Sequence, residues 1–310
     1  MSNVVARVAP GQTRGMGELD TIKDRPFVLS PFGKALIEVA STRPNVIALT
    51  ADLGKYTDLL PFATAFPERY FDIGMMEQQL VAMAAGLART GKIPYITTYG
   101  AFATRRAYDF IAMACAHSNL PVKIFAALPG VTTGYGGTHQ AIEDTMLMRG
   151  IPGLAVIDPC DANDIVQVTH AVADYPGPVY VRLQRGNVPL VLPDDYEFVL
   201  GKSAVLHEGS ELGIISTGLT SGRALEVAQM FKRSGVGIGV LHVPTLKPFD
   251  ARGIVEFASS FPKLITFENH LVSGGLGSQV TEALYDAGVQ VKLKRIGLPD
   301  KYLECGSVPY

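Results

Sequence analysis

Glu77 is a carboxylate standing at a change of pattern. A short apolar run, RYFDI (69–73), ends just before it, and an Ala- and Met-rich helical stretch, EQQLVAMAAGLAR, begins with it. No lysine or arginine lies at helical spacing from it. One βα unit later, TTYGAFATRRAYDF (97–110) places Tyr99 and Phe102 three residues apart across the next such junction, followed by Arg105 and Arg106. Isolated, two such rings would read as core residues. In a parallel sheet, however, both junctions fall on one edge. A carboxylate and aromatic faces sharing one crevice suit a flat, nitrogen-rich ring. His139 closes the glycine loop TTGYGGTHQ (132–140), again after a strand, where ligands of open α/β sheets collect. His117, His170, His207 and His242 read as surface or satisfied residues, and the six histidines are dispersed, with no HxxxH or Cys/His spacing to hold a metal.

These residues need elements to position them. Apolar runs at 45–50, 69–73, 93–98, 122–127, 154–158 and 178–183 predict strands. Helical patterns near 32–42, 77–89, 103–117, 141–149 and 161–173 alternate with them. Asp161 in DPCDANDI is a predicted N-cap. Such alternation implies βαβ units and a mostly parallel sheet covered on both faces. A proline-containing acidic stretch then breaks the period and reads as a linker, 188–202. Strands at 203–208, 212–217, 236–243, 264–268 and 291–296, around helices near 219–233 and 276–287, predict a second, smaller α/β unit. The expected division is therefore an N-terminal arm (1–25, flexible), a first domain (26–187), the linker and a second domain (203–310).

With 310 residues, 47% of them hydrophobic, the chain can build two cores. A formal net charge of -2 leaves no basic excess to neutralise phosphates, which argues against a nucleic-acid or membrane-surface protein. Three scattered cysteines form neither a disulfide framework nor a metal clip. The first residues lack the apolar core of a signal peptide, and a cytoplasmic location is expected. SGGLGSQV (273–280) resembles a dinucleotide fingerprint only loosely, and helix-entry packing explains it better.

Four stretches in order, FDIGMMEQQLVAMAAGLARTGKIPYITTYGAF, GYGGTHQAIEDTMLMRGIP, GPVYVRLQRGN and ENHLVSGGLGSQV, resemble the C-terminal half of transketolases. They are close to the separately encoded C-terminal subunits and similar to 1-deoxyxylulose-5-phosphate synthase. The resemblance spans about residues 28–305. It implies a thiamine-diphosphate-dependent transferase half: a pyrimidine-binding domain followed by the transketolase C-terminal domain. By that likeness Glu77 hydrogen-bonds N1′ of the aminopyrimidine, which lets the ring's amino nitrogen deprotonate the thiazolium carbon. Phe102 stacks on the pyrimidine and Tyr99 lines its pocket. Arg105 matches an active-site arginine of the synthase, with Arg106 as an insertion beside it. His139 corresponds to a histidine beside the reacting carbonyl, where it helps proton transfer, and Arg185 to one that grips sugar phosphates. Asp72 and Asp109 fix loops and helix ends.

The family's GDG…N motif, which binds Mg²⁺ on the cofactor diphosphate, does not occur here. The resemblance therefore implies an N-terminal partner subunit carrying diphosphate and Mg²⁺, in an α₂β₂ heterotetramer. Four further departures affect substrate. Tyr135 stands near a family Asp that contacts the acceptor, Leu128 at a phosphate-binding His, and Tyr56 at a phosphate-binding Ser. An N-terminal family Arg falls at residues 29–31. An atypical acceptor for the two-carbon ketol unit is the expectation. Two other readings stay open at this point: a β-subunit-like component of a 2-oxoacid dehydrogenase or decarboxylating ligase, and a non-catalytic regulatory paralogue.

Overall fold

The computed structural model describes residues 26–305. The expected arm, 1–25, lies outside the described residues. Two sheets dominate. The first contains β2 (Val46–Thr50), β3 (Tyr70–Asp72), β4 (Ile93–Tyr99), β5 (Lys123–Ala127), β6 (Ala155–Ile157) and β7 (Val179–Leu183), all parallel, in the order β6-β7-β5-β4-β2-β3. Strands β2, β5 and β7 are buried throughout their length. This follows from helices covering both faces of a parallel sheet, which leaves no solvent side for alternating polar residues. On one face lie α1 (Pro31–Thr42) and α6 (Ala162–Ala171). On the other lie α3 (Glu77–Arg89), α4 (Gly100–Phe110) and α5 (Asp144–Arg149). The expected N-cap is in place: the Asp161 side chain accepts from Asp164 N at 2.9 Å.

The second sheet runs β14 (Lys292–Leu298), β13 (Lys263–Leu271), β10 (Leu212–Ser216), β11 (Ile238–His242), β9 (Ala204–His207), parallel except for β9 at its edge. Helices α7 (Thr220–Lys232), α8 (Ala251–Ala258) and α9 (Leu276–Asp286) pack around it. The α/β class, the two units and the mostly parallel sheets agree with the sequence expectation.

Several short elements were not expected from the sequence. β1 (Phe27–Leu29) pairs antiparallel with β8 (Asn187–Pro189), so the expected linker, 188–202, begins within a strand. α2 (Leu60–Ala65) and α8 were not expected either. The helix expected at 141–149 starts only at Asp144, because Ala141 bridges to Pro129 and Gly130 instead. The helix expected at 103–117 runs as α4 and continues without interruption as a π-helical segment, Ile111–Ala116. The largest addition is β12 (Thr245–Lys247). It leaves the second unit and adds an antiparallel seventh strand to the first sheet, beside β6.

A polar network locks the same junction. Arg182, on the interior strand β7, is 1% exposed. It donates to Asp144 (2.9 and 3.2 Å), to Asp158 (2.9 Å) and, across the junction, to the Asn269 carbonyl (2.8 Å). Tyr180 donates to Asp144 at 2.8 Å. A guanidinium in such a place is tolerable only because carboxylates and carbonyls answer its donors.

Candidate active site

Because β2 to β5 and β7 are parallel, every loop leaving their carboxyl ends falls on one edge. Glu77 follows β3, Tyr99 ends β4, Phe102 lies in the first turn of α4, His139 lies in the loop after β5, and Arg185 follows β7. Helix α3 buries Leu80, Val81, Ala84, Ala85 and Ala88 at helical spacing against the sheet. That packing brings its first residue, Glu77, down into the edge, where it is 5% exposed. A carboxylate there also meets the positive end of the helix.

Glu77 does have a cationic partner, supplied by the neighbouring helix. Arg106 Nη1 donates to Glu77 Oε1 at 2.8 Å. The same guanidinium lies over the Phe102 ring, 3.9 Å from its centroid. Arg105, one residue earlier, turns the other way. It holds both carboxylate oxygens of Glu143 and donates to the carbonyls of Gly137 (3.2 Å) and Gln140 (2.9 Å). Arg105, expected at the cofactor, thus braces the loop that carries His139, while Arg106, read as an insertion, meets Glu77.

The rings cluster. His139 meets Phe102 edge-on at 5.1 Å between centroids, Tyr99 at 6.0 Å and Tyr135 at 4.7 Å. Tyr99 and Phe102 are 5.6 Å apart. Thr138 Oγ1 lies 2.9 Å from His139 Nδ1, which orients the ring. Partial burial and the charge of Arg106 together hold the His139 pKa below its usual 6.5. Burial pushes the Tyr99 phenol up to about 12, against the pull of Arg185 nearby. Arg185 itself is 6% exposed. Asp72 accepts from Asp52 N (2.9 Å) and Gly74 N (3.1 Å), fixing the loops as expected.

The second unit braces the His139 loop. Asn269 donates to the Pro129 carbonyl and accepts from Val131 N, both at 3.1 Å. At the loop's far end Gln140 donates to the Glu304 carbonyl at 3.2 Å, while Tyr302 and Cys305 pack against Gly137 and Gly136. Asn269 stands in ENHLVSGG, a stretch noted for resemblance but given no role from sequence. Nothing in the sequence singles it out, because β13 (KLITFENHL) carries several other polar residues beside it.

At the four departures, Leu128 is 1% exposed with a left-handed backbone (φ 60) just after β5. Tyr56 (40%) and Leu29 (56%) are exposed, and the Tyr135 ring lies tilted against His139. Among the described residues no group of three or more His, Cys, Asp or Glu is gathered as a metal site, and no helix is long and apolar enough to cross a membrane.

Comparison with known proteins agrees with this arrangement. Residues 29–191 match the transketolase pyrimidine-binding domain and residues 201–309 the transketolase C-terminal domain. The chain is 50% identical over 289 residues to a transketolase family protein of Sinorhizobium fredii, covering 92% of this chain and 84% of the relative. It is 38% identical to a transketolase C-terminal section of Methanocaldococcus jannaschii, covering 89% and 87%. A solved structure titled as a split-gene transketolase in an inactive β4 tetramer superposes with a TM-score of 0.80 at 39% identity, covering 87% and 88%. The chain belongs to the transketolase family.

Proposed function

We propose that this chain is the C-terminal, pyrimidine-binding subunit of a two-subunit, thiamine-diphosphate-dependent transketolase. It transfers a two-carbon ketol unit from a ketose to a carbonyl acceptor of atypical kind. The observation that carries the proposal is Glu77: a buried carboxylate at a helix start, already receiving a planar N–H donor that lies on Phe102. That guanidinium supports the reading, since it is a flat cationic group lying over an aromatic ring and hydrogen-bonded to the carboxylate at its edge.

Glu77 would hold the ring nitrogen of the aminopyrimidine, Phe102 would carry the ring on its face, and Tyr99 would close the pocket wall. When bound, thiamine diphosphate supplies a carbon nucleophile that cleaves and forms carbon–carbon bonds beside a carbonyl. The remaining chemistry falls to this chain's own residues. His139, held neutral near pH 7 by burial and by Arg106, is suited to accept a proton from a substrate hydroxyl and return it to a carbonyl oxygen. Arg185 presents a fixed positive charge to an anionic tail of a substrate. Tyr135, its ring 4.7 Å from that of His139, would narrow the acceptor's side of the site.

The diphosphate and Mg²⁺ would be held by an N-terminal partner carrying the GDG…N motif, in an α₂β₂ assembly. The β4 relative titled inactive supports a subunit that does not work by itself. Copurification of the tagged chain with untagged cellular protein tests this reading. A polypeptide carrying GDG should follow the tag, and the pair should move a ketol unit between sugars when thiamine diphosphate and Mg²⁺ are added. A pair that instead released labelled CO₂ from pyruvate, or that had no turnover, would refute it.

A further inference from the structure

Apart from its charge acting on His139, Arg106 has no part in the proposed mechanism, and its position is specific. It stands four residues after Phe102 on α4, so the two side chains share one helix face. Its stem runs along that face, its plane covers the ring at 3.9 Å, and its Nη1 reaches across to Glu77 on α3. Gln78, next to Glu77, donates to the Arg106 carbonyl at 3.2 Å and ties the two helices together.

We infer that Arg106 is a built-in stand-in for the aminopyrimidine, occupying the Glu77–Phe102 site and giving it up when the cofactor ring enters. A guanidinium and a protonated aminopyrimidine offer the same recognition features: a flat π surface, a delocalised positive charge and an in-plane N–H. One carboxylate edge facing one aromatic surface holds one of them at a time. The two claimants differ in tenure. The Glu77 side chain is 6% exposed, while that of Arg106 is 51% exposed. Glu77 is thus fixed, and Arg106 can rotate into water, where its charge is solvated at small cost. Exchange of one cation for the other keeps a buried carboxylate partnered throughout, avoiding the large penalty of a stranded buried charge.

This inference rests on the cofactor reading above, and it makes a claim that the reading does not need. If Arg106 merely positioned Glu77, removing it would weaken the cofactor. As a competitor, its removal strengthens the cofactor, because the fraction of molecules with an open slot rises.

The experiment is a calorimetric titration of thiamine diphosphate, with Mg²⁺, into the copurified two-chain complex. Wild type is compared with Arg106→Met, which keeps the stem and loses the charged plane, and with Arg106→Lys, which keeps the charge and loses the plane. Arg106→Met should bind roughly fivefold or more tightly, and Arg106→Lys should fall between it and wild type. Equal or weaker binding by Arg106→Met overturns the inference while leaving the cofactor reading intact. If Arg106→Met does not fold, tighter binding by Arg106→Lys supports the inference, and equal or weaker binding overturns it. A folded wild-type complex that does not take up thiamine diphosphate sinks both. A crystal structure of the loaded complex gives a second readout: Arg106 displaced from Phe102 supports the exchange, and Arg106 still seated on Glu77 beside the ring refutes it.

Discussion

Asn269 of the second domain grips the backbone on both sides of Gly130 in the first. Its Nδ2 donates to the carbonyl of Pro129 and its Oδ1 accepts from the amide of Val131, each at 3.1 Å. Gly130 has φ +58, and a β-carbon there would come within 2.3 Å of the Asn269 side chain. The loop that ends in His139 therefore takes its bearing from a strand of the other domain.

Asn269→Ala should cost about 1–3 kcal/mol of stability, because two backbone groups lose their partner. It should also lower kcat roughly tenfold or more, with a smaller change in KM, because the loop no longer holds His139 in place. Asn269→Asp keeps the acceptor and loses the donor, so it should recover part of the rate. Steady-state kinetics of the reconstituted pair alongside urea unfolding reads both effects. Loss of stability with an unchanged kcat would make Asn269 purely structural.

Glu77→Gln keeps the shape of the carboxylate and removes its charge and its ability to share a proton. Turnover by the reconstituted pair should fall by roughly 10²–10⁴, with little change in thermal midpoint, since the lost ion pair is half exposed on the arginine side. Full activity would favour a non-catalytic paralogue.

His139 should titrate below 6.5, as burial and then the Arg106 charge both oppose the imidazolium. Its ring is accordingly neutral at pH 7, and Tyr99, Phe102, Tyr135 and Thr138 face it. In linkage terms, the unfolded chain binds the proton first as pH falls through 6.5. The stabilising contribution of this group is therefore present above 6.5 and declines below it. An NMR titration of the ring proton checks the value. Arg106→Met should raise it only part of the way back, since burial remains.

Arg182→Met leaves Asp144 and Asp158 buried without their counterion. Urea unfolding at pH 7 should show a loss of about 3–5 kcal/mol. Stranded carboxylates in a buried site bind protons more readily folded than unfolded, so the deficit should shrink as pH is lowered toward 5.

The acceptor prediction follows from the family resemblance, which sets Leu128 and Tyr56 where two phosphate-binding groups are expected. At about 1.5–3 kcal/mol for each charged hydrogen bond, a phosphorylated aldose should lose most of its advantage over an unphosphorylated one. Comparative kcat/KM values for ribose 5-phosphate and ribose with the reconstituted pair give the answer. An ordinary transketolase preference for the phosphate would reject the idea.

The gathering of Glu77, Phe102 and His139 on one sheet edge was legible because it depends on βα periodicity, which apolar spacing records directly. The division of labour between Arg105 and Arg106 was not. Adjacent helical residues point about 100° apart, and which of them faces α3 depends on how α4 is rotated against the sheet. Packing of Ala103 and Ala107 decides that rotation. Thr245–Lys247 was illegible for another reason: three residues between Pro244 and Pro248 are too few to show alternation, and their pairing partner lies about ninety residues upstream. Asn269 was hidden because its partners are backbone atoms, which leave no mark on composition.

The loan of β12 to the first sheet also governs how the chain can be cut. Ending a fragment at the apparent boundary near residue 200 would strip β6 of its neighbour and bare a row of unsatisfied amides and carbonyls beside an apolar core. Such a fragment would be sticky, recruiting strands from other molecules, whereas the intact polypeptide seals that margin with its own later sequence.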